Sequence, residues 1–137
     1  MSQNIHATCI KAKSKGILLL GDSGTGKSDL ALRMITMFSA KLVSDDRTDI
    51  RNDSGFIKAS SPNILKGMLE VRGVGIVKFE HLKEVKVDLV VCLTNEKTER
   101  MPEKMVYELE GVKIPMFYLN SSDISAPSKI IAMLSLL

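Results

Sequence analysis

The chain has 137 residues, of which 45% are apolar and 26% charged, and its formal net charge is +3. The basic residues are scattered and aromatic residues amount to only 4%, so the composition does not indicate a nucleic-acid-binding surface. No apolar run approaches the ~20 residues of a membrane-spanning helix, and the N-terminal segment lacks the apolar core of a signal peptide. We therefore expect one cytoplasmic domain over residues 1–137, with no nucleic acid and no membrane as a partner.

The first elements predicted along the chain are a strand, a turn, a second strand and a helix. Residues 5–13, "IHATCIKAK", alternate by twos and predict a strand. "SKG" predicts a turn, and "ILLL" predicts a short buried strand that ends in a glycine loop. Apolar residues at helical spacing then predict a helix from Lys27 to Phe38.

The remaining segments also mix strands with helical patterns. "AKLVS" predicts a strand that ends at Asp45 and Asp46, and "TDIRNDSGFIKAS" predicts a hairpin with its turn at residues 52–55. "SPNILKG" predicts one helical turn capped by Ser61. Further predictions are a strand entering a glycine loop in "MLEVRGVGIV", strands in "VKVDLVVCL" and "VKIPMFYL", and a C-terminal helix in "APSKIIAMLSLL". Short connections between mixed elements favour a single α/β domain.

The two cysteines, Cys9 and Cys92, both lie in apolar, strand-like runs. The chain has no Cys-x-x-Cys pair and no Cys/His spacing that is typical of a metal site. We expect both cysteines to be reduced thiols in the interior.

A phosphate-binding loop is the clearest motif in the sequence. Residues 21–28, "GDSGTGKS", fit the pattern G-x-x-x-x-G-K-[ST], and a predicted strand precedes them while a predicted helix follows. Glycines allow the backbone to approach an anion closely, and successive N–H groups can then cradle its oxygens. The eight residues predicted to bind the nucleotide are Gly21, Asp22, Ser23, Gly24, Thr25, Gly26, Lys27 and Ser28. Lys27 would reach the β- and γ-phosphates, and the Ser28 hydroxyl would reach Mg²⁺.

Carboxylates are needed to complete such a magnesium site. Asp45 and Asp46 end the strand that follows the phosphate-loop helix, which is a position close to the γ-phosphate in related sheets. One of the pair could serve the metal and the other catalysis, although a solvated turn is the alternative interpretation. Asp88 stands at the start of its strand, at the wrong end for the phosphates. Glu70, in "LEVRGVGI", could bind a metal, pair with Arg72 or lie half-exposed.

Four segments together resemble the HPr kinase/phosphorylase family. They are "HATC", "GDSGTGKSDLAL", "LVSDDR" and "LEVRGVGI", in this order and spacing, and the match covers residues 5–80 well and the remainder loosely. The resemblance implies a P-loop-containing kinase domain with a mixed β-sheet and few helices. It also implies Mg²⁺- and ATP-dependent phosphorylation of a serine on HPr, the phosphocarrier of the sugar phosphotransferase system. The short length is similar to the compact form found in alphaproteobacteria.

The resemblance also implies roles for individual residues. Asp46 matches the family's proton acceptor for the serine hydroxyl, and Ser28 and Glu70 match its Mg²⁺ ligands. His6 matches an active-site histidine near the phosphates, although a lone histidine on a short strand is more often structural. Arg100, in "TERMPE", lies where the family has an active-site arginine. Lys27 completes the catalytic set.

The resemblance leaves the direction of reaction and the assembly open. Longer members of the family also catalyse the reverse phosphorolysis and form hexamers, so a homo-oligomer is compatible with the match. This chain lacks the Arg-rich segment that follows Ile114 and Pro115 in those members, which places the reverse reaction in doubt. The other functions we consider are a small-molecule P-loop kinase and an inactive ATP-binding module.

Overall fold

The computed structural model describes residues 2–62 and 66–137, and these ranges contain eleven strands and two helices. In chain order they are β1 (Ser2–His6), β2 (Thr8–Ala12), β3 (Lys15–Leu20), α1 (Lys27–Phe38), β4 (Lys41–Ser44), β5 (Arg47–Asp53), β6 (Phe56–Ser60), β7 (Met68–Val71), β8 (Gly75–Lys78), β9 (Glu84–Thr94), β10 (Met105–Leu109), β11 (Val112–Asn120) and α2 (Ala126–Leu134). The predicted α/β class, with a mixed sheet and few helices, is confirmed.

One nine-stranded sheet organises the molecule. Its central strand β9 pairs in parallel with β3 and with β11, and near its start it pairs antiparallel with β6. Strand β2 lies antiparallel between β3 and β4. Strands β3, β4, β9 and β11 therefore run in the same direction, and their carboxyl ends lie along one edge of the sheet. Segments that follow parallel strands at this edge are the usual location of binding sites in α/β folds.

Apolar side chains pack on both faces of the sheet, because successive residues of a strand point to opposite sides. On β3, Leu19 belongs to the cluster that also contains Leu30 and Met34 of α1 and Ile130 of α2. Its neighbour Leu18 belongs to a second cluster, formed largely by strands β5, β6, β9 and β11. Both helices therefore cover one face, and they fix the phosphate-loop strand β3 from that side.

Two predictions for the first thirty residues need correction. Residues 5–13 do not form one strand, because the chain breaks at Ala7 and the two halves pair with different partners, β1 with β5 and β2 with β3 and β4. The turn predicted at "SKG" lies one residue earlier, at Lys13 and Ser14. Gly16 lies within β3, where a Cβ would come within 2.0 Å of the Lys86 carbonyl oxygen. That glycine allows a close approach between strands.

The segment around "LEVRGVGI" forms a hairpin of β7 and β8, with Glu70 paired to Ile76. Sequence patterns predicted only the first of these strands, and they missed β10 entirely. The helical turn predicted for residues 61–67 falls partly on residues outside the described ranges. In the part of the chain that the structure describes, neither helix is long and apolar enough to cross a membrane.

Candidate functional site

A cavity of about 430 Å³ opens at the carboxyl edge of the parallel strands. It lies between the phosphate loop, the start of α1, the end of β4 and the β7–β8 hairpin. Its lining residues are His6, Thr8, Ser23, Gly24, Gly26, Lys27, Ser28, Asp29, Leu32, Asp46, Glu70, Val71 and Arg72. The strand order explains this assembly, since the segments after β3 and β4 and the start of β2 all meet at that edge.

The phosphate loop presents free backbone N–H groups to the cavity. Gly24 and Gly26 have φ values of 85° and 89°, a left-handed conformation that glycine adopts without steric cost. Helix α1 begins at Lys27, and the N–H groups of its first residues have no acceptor within the helix. Among the described residues, no side chain caps them either. Together with the positive end of the helix dipole, they form a site suited to an anion.

Lys27 is held over the same loop. Its ammonium group donates to the carbonyl oxygens of Gly21, at 2.6 Å, and Asp22, at 3.1 Å, and the residue is 7% exposed. Burial lowers the pKa of Lys27, while the charges of Asp46, Asp22 and Asp45 act in the opposite direction. A phosphate in the cavity would give the Lys27 ammonium group an anionic partner, whereas its present partners are two neutral carbonyl oxygens.

Asp45 and Asp46 point to different partners, and this separates their roles. Asp45 Oδ1 accepts hydrogen bonds from Ser28 Oγ at 2.7 Å and from Thr8 Oγ1 at 3.0 Å. Asp46 Oδ1 lies 2.8 Å from His6 Nε2, and its side chain is 69% exposed. Asp46 also has a φ of 65°, in a tight turn where the Arg47 N–H donates to the Asp45 carbonyl oxygen at 2.7 Å. Such backbone strain in non-glycine residues is concentrated at functional sites.

The magnesium ligands predicted from the sequence lie near one another but do not form a closed cage. The Glu70 backbone N–H is 3.4 Å from Asp45 Oδ2, and the Glu70 side chain is exposed on the cavity wall. Among residues 2–62 and 66–137, no three His, Cys, Asp or Glu side chains converge on a metal position. This donor set fits Mg²⁺ nonetheless, because Mg²⁺ in nucleotide sites takes one or two carboxylates and completes its shell with phosphates and water.

Of the predicted site residues, Gly21, Asp22 and Thr25 belong to the phosphate loop without lining the cavity, and Arg100 lies outside both the loop and the cavity lining. Arg100 is exposed in the segment between β9 and β10, whereas Arg72 of the β7–β8 hairpin lines the cavity. Glu70 and Arg72 form no ion pair in the described part of the chain, so that alternative has no support. Asp88, which we excluded, accepts a hydrogen bond from the Gly16 N–H at the far end of β3.

Thr8, Asp45 and Arg72 were not among the predicted site residues, although the Asp45–Asp46 pair and a Glu70–Arg72 ion pair had been considered. The signal for Asp45 was its place beside Asp46, but a local pattern cannot tell which of two adjacent carboxylates faces the loop. Arg72 stood in the conspicuous "LEVRGVGI" segment. The sequence did not show that Arg72 would line the cavity and that Arg100 would not.

The sequence matches a family model, HPr Serine kinase C-terminal domain, over residues 1–134. It is 33% identical over 117 residues to an HPr kinase/phosphorylase of Clostridium kluyveri, covering 80% of this chain and 38% of that protein. It is 36% identical over 117 residues to an HPr kinase/phosphorylase of Clostridium acetobutylicum, with the same coverage. The chain thus spans about two fifths of the length of these relatives.

A solved structure shares the fold. The Hpr(Ser) kinase/phosphatase from Coxiella burnetii superposes with a TM-score of 0.84 at 23% sequence identity. The match covers 98% of this chain and 89% of that one. The sheet and helices described above are therefore those of a known kinase fold.

Proposed function

The chain belongs to the HPr serine kinase family, and we propose that it transfers the γ-phosphoryl group of ATP to a serine of an HPr-like phosphocarrier protein, with Mg²⁺. The observation that carries the proposal is that Lys27, Ser28 and Asp46 line one cavity at the carboxyl edge of the sheet, with Asp45 directly behind Ser28, whose hydroxyl donates to it. These are the groups that phosphoryl transfer requires, since positioning and charge stabilisation account for most of its catalysis.

The phosphate loop binds the nucleotide in this proposal. The N–H groups of Gly26 and of the first turn of α1 hold phosphate oxygens, and the Lys27 ammonium group leaves its two carbonyl partners to reach the β- and γ-phosphates. Ser28, Asp45 and Glu70 are the residues that would hold Mg²⁺, which would screen the charge between the phosphates. The Ser28 hydroxyl would then turn its lone pairs to the metal instead of donating to Asp45.

Asp46 acts on the acceptor hydroxyl. A carboxylate can orient a serine hydroxyl and take its proton as the oxygen attacks the γ-phosphorus. His6 Nε2 contacts the same Oδ1 atom, so it fixes the rotamer of Asp46 and leaves Oδ2 for the substrate. Arg72 on the cavity wall would supply a cation to the transferring group, which is the role that the sequence had suggested for Arg100.

The exposure of Asp46 favours a protein acceptor over a small metabolite. Its side chain is 69% exposed although it lines the cavity. A hydroxyl on the surface of a folded protein can reach a carboxylate in that position. Kinases for small molecules enclose the acceptor, because water in an open site competes with it.

We limit the proposal to the forward reaction. Phosphorolysis would need a second anion beside the phosphoserine, and two anions at close range repel one another unless nearby cations compensate. The turn after β11 contains no arginine of its own. Release of pyrophosphate from serine-phosphorylated HPr at a rate comparable to the forward reaction would show that the chain also works in reverse.

The test is incubation of the purified chain with γ-labelled ATP, Mg²⁺ and the HPr-like protein encoded in the same genome. We expect label on one serine of the acceptor, and no label when that serine is replaced by alanine. The Asp46→Asn variant should bind ATP but transfer little phosphate. Label on a small metabolite instead would favour the metabolite kinase, and ATP binding without any transfer would favour the inactive module.

A further inference from the structure

The phosphate loop is held from outside by the turn that follows β11. The Ser121 hydroxyl donates a hydrogen bond to the Thr25 carbonyl oxygen, across 96 residues of sequence. Both residues are almost completely buried, Ser121 at 8% and Thr25 at 6% exposure. A Cβ at Gly26 would lie 2.6 Å from Ser121 Oγ, so the glycine is what lets the serine approach.

This bond fixes the orientation of one peptide unit in the loop. The Thr25 carbonyl and the Gly26 N–H belong to the same planar trans peptide, and they point in opposite directions. With the carbonyl directed to Ser121, the Gly26 N–H is directed away from it, toward the side on which Gly26 lines the cavity. In the described chain that N–H donates to no other protein group. It therefore remains available to a phosphate oxygen.

Arg33 holds the turn that carries Ser121. Its Nη2 donates to the Ser121 carbonyl oxygen at 2.6 Å, and its Nη1 lies 3.5 Å from the Asp123 carbonyl oxygen. Its Nε donates to Asp29 Oδ2 at 3.1 Å, one turn earlier on α1. Asp29 in turn lines the cavity. A rigid planar fork that binds two backbone carbonyls is a contact that lysine cannot reproduce.

We infer that Ser121 and Arg33 are positioning residues for nucleotide binding, which lock the 25–26 peptide of the phosphate loop in its anion-binding orientation. Neither residue touches the reacting atoms. Ser121 sets the peptide, and Arg33 sets Ser121 by joining helix α1 to the turn after β11. This inference rests on the proposed function only in that the loop binds a nucleotide, and it does not depend on the acceptor.

The test compares Ser121→Ala with Ser122→Ala, a matched control whose exposed neighbouring hydroxyl bonds nothing in the described structure. Affinity for Mg-ADP is measured by calorimetry, and thermal unfolding is followed in the same samples. Ser121→Ala leaves the buried Thr25 carbonyl oxygen without its hydrogen-bond donor, and this destabilises the orientation of the 25–26 peptide. We expect Ser121→Ala to bind Mg-ADP at least about fivefold more weakly, and Ser122→Ala to bind it as tightly as the native chain. In steady-state kinetics, Ser121→Ala should raise the KM for the nucleotide and leave the KM for the acceptor unchanged.

Arg33→Gln should give a similar loss, and the double variant should lose no more than the single ones, because the two residues act in series. Lys129→Ala is the control here, since Lys129 bonds the Asp123 side chain of the same turn at 3.0 Å without contacting Ser121. Additive losses in the double variant would contradict the series arrangement.

Hydrogen exchange of the ligand-free protein separates this inference from the proposed function. The Thr25 N–H donates to the Asp22 carbonyl oxygen at 3.1 Å, so its exchange should quicken in Ser121→Ala even without nucleotide. Unchanged exchange together with unchanged Mg-ADP affinity would overturn the inference while leaving the kinase proposal intact. Faster exchange and weaker ADP binding, in a chain that phosphorylates no protein, would support the inference and refute the kinase.

Discussion

At the scale of single residues, Lys27 shows how burial and charge oppose each other in the site. The residue is almost completely buried, and burial lowers its pKa because a charged ammonium group loses solvation. Three nearby carboxylates, with Asp46 the strongest, partly restore the charged form. A bound phosphate would therefore stabilise the charged form of Lys27 further.

Lys27→Ala removes a full positive charge that acts on the phosphates from a buried position. We expect transfer to fall by at least ~10²-fold, which is typical of a single electrostatic stabiliser. Steady-state kinetics with Mg-ATP measures the loss. Lys78→Ala, on the exposed face of β8, is the control and should retain full activity. Turnover of Lys27→Ala close to that of the native chain would show that the loop does not hold the γ-phosphate.

The lowered pKa of Lys27 predicts a pH dependence of nucleotide binding. Bound phosphate raises that pKa again, so binding is strongest below the pKa of the free protein and weakens as pH rises through it, beginning below the 10.5 of an ordinary lysine. Metal-free ADP titrations from neutral pH to about pH 10 measure this. In Lys27→Arg, whose guanidinium group stays charged, any remaining affinity should not change with pH in this range.

Asp45 and Asp46 should respond differently to removal of their charge. Asp45→Asn takes a carboxylate from beside Ser28, so the variant should need much more Mg²⁺ to reach its maximal rate. Asp46→Asn should leave the magnesium titration unchanged and lower kcat by ~10²- to 10⁴-fold, the range for general-base catalysis. Magnesium titrations of both variants separate the roles, and the same shift in both would refute the assignment.

At the scale of elements, the tight turn between β2 and β3 holds two non-glycine residues in a strained backbone conformation. Lys13 and Ser14 have φ values of 50° and 65°, and Ala12 pairs with Lys15. Two-residue hairpin turns favour glycine or asparagine at such positions because a Cβ is strained there. The register of β3, and with it the start of the phosphate loop, depends on this turn.

Ser14→Gly should therefore raise the free energy of unfolding, by about 1 kcal/mol. Urea denaturation measures the change. Lys15→Gly is the matched control, since Lys15 is exposed in β3 and its replacement should destabilise the protein by about 0.5 to 1 kcal/mol. Destabilisation by both variants would show that the turn in solution does not have positive φ at Ser14.

At the scale of the whole molecule, the long strand β9 belongs to both parts of the sheet. Its start pairs with β6, and its later residues pair with β3 and β11. Val91 packs in the cluster beneath the helices, whereas Val90 packs in the cluster on the other face. Loss of either cluster would expose the same strand, so the two should not unfold separately.

We expect a single cooperative transition for the chain, consistent with one domain. The chain contains no tryptophan, so two variants can place a probe in each cluster, Phe79→Trp beside the helices and Tyr107→Trp on the opposite face. Urea unfolding followed by fluorescence should give, in each variant, the same midpoint as circular dichroism. Different midpoints for the two methods would indicate that the faces unfold independently.

The sequence by itself determined the features that depend on residues close together along the chain. The phosphate loop and the bounds of α1, Lys27–Phe38, follow from a local motif and from helical spacing. The hairpin turn between β5 and β6 lies within the predicted segment, because Ser54 and Gly55 are typical turn residues. Strand β10 was missed because its exposed residue Val106 is apolar, so "MVYEL" does not alternate between apolar and polar residues although its burial does.

Only the tertiary structure decided which distant residues meet in the site. It directed Asp45 to Ser28 and Asp46 to His6, and it placed Ser121 against the loop. Periodic burial shows where a strand or helix lies, but not which strand is its neighbour or in what register. Those choices follow from packing on both faces of the sheet, and they alone bring the ends of β3, β4 and β11 to one edge.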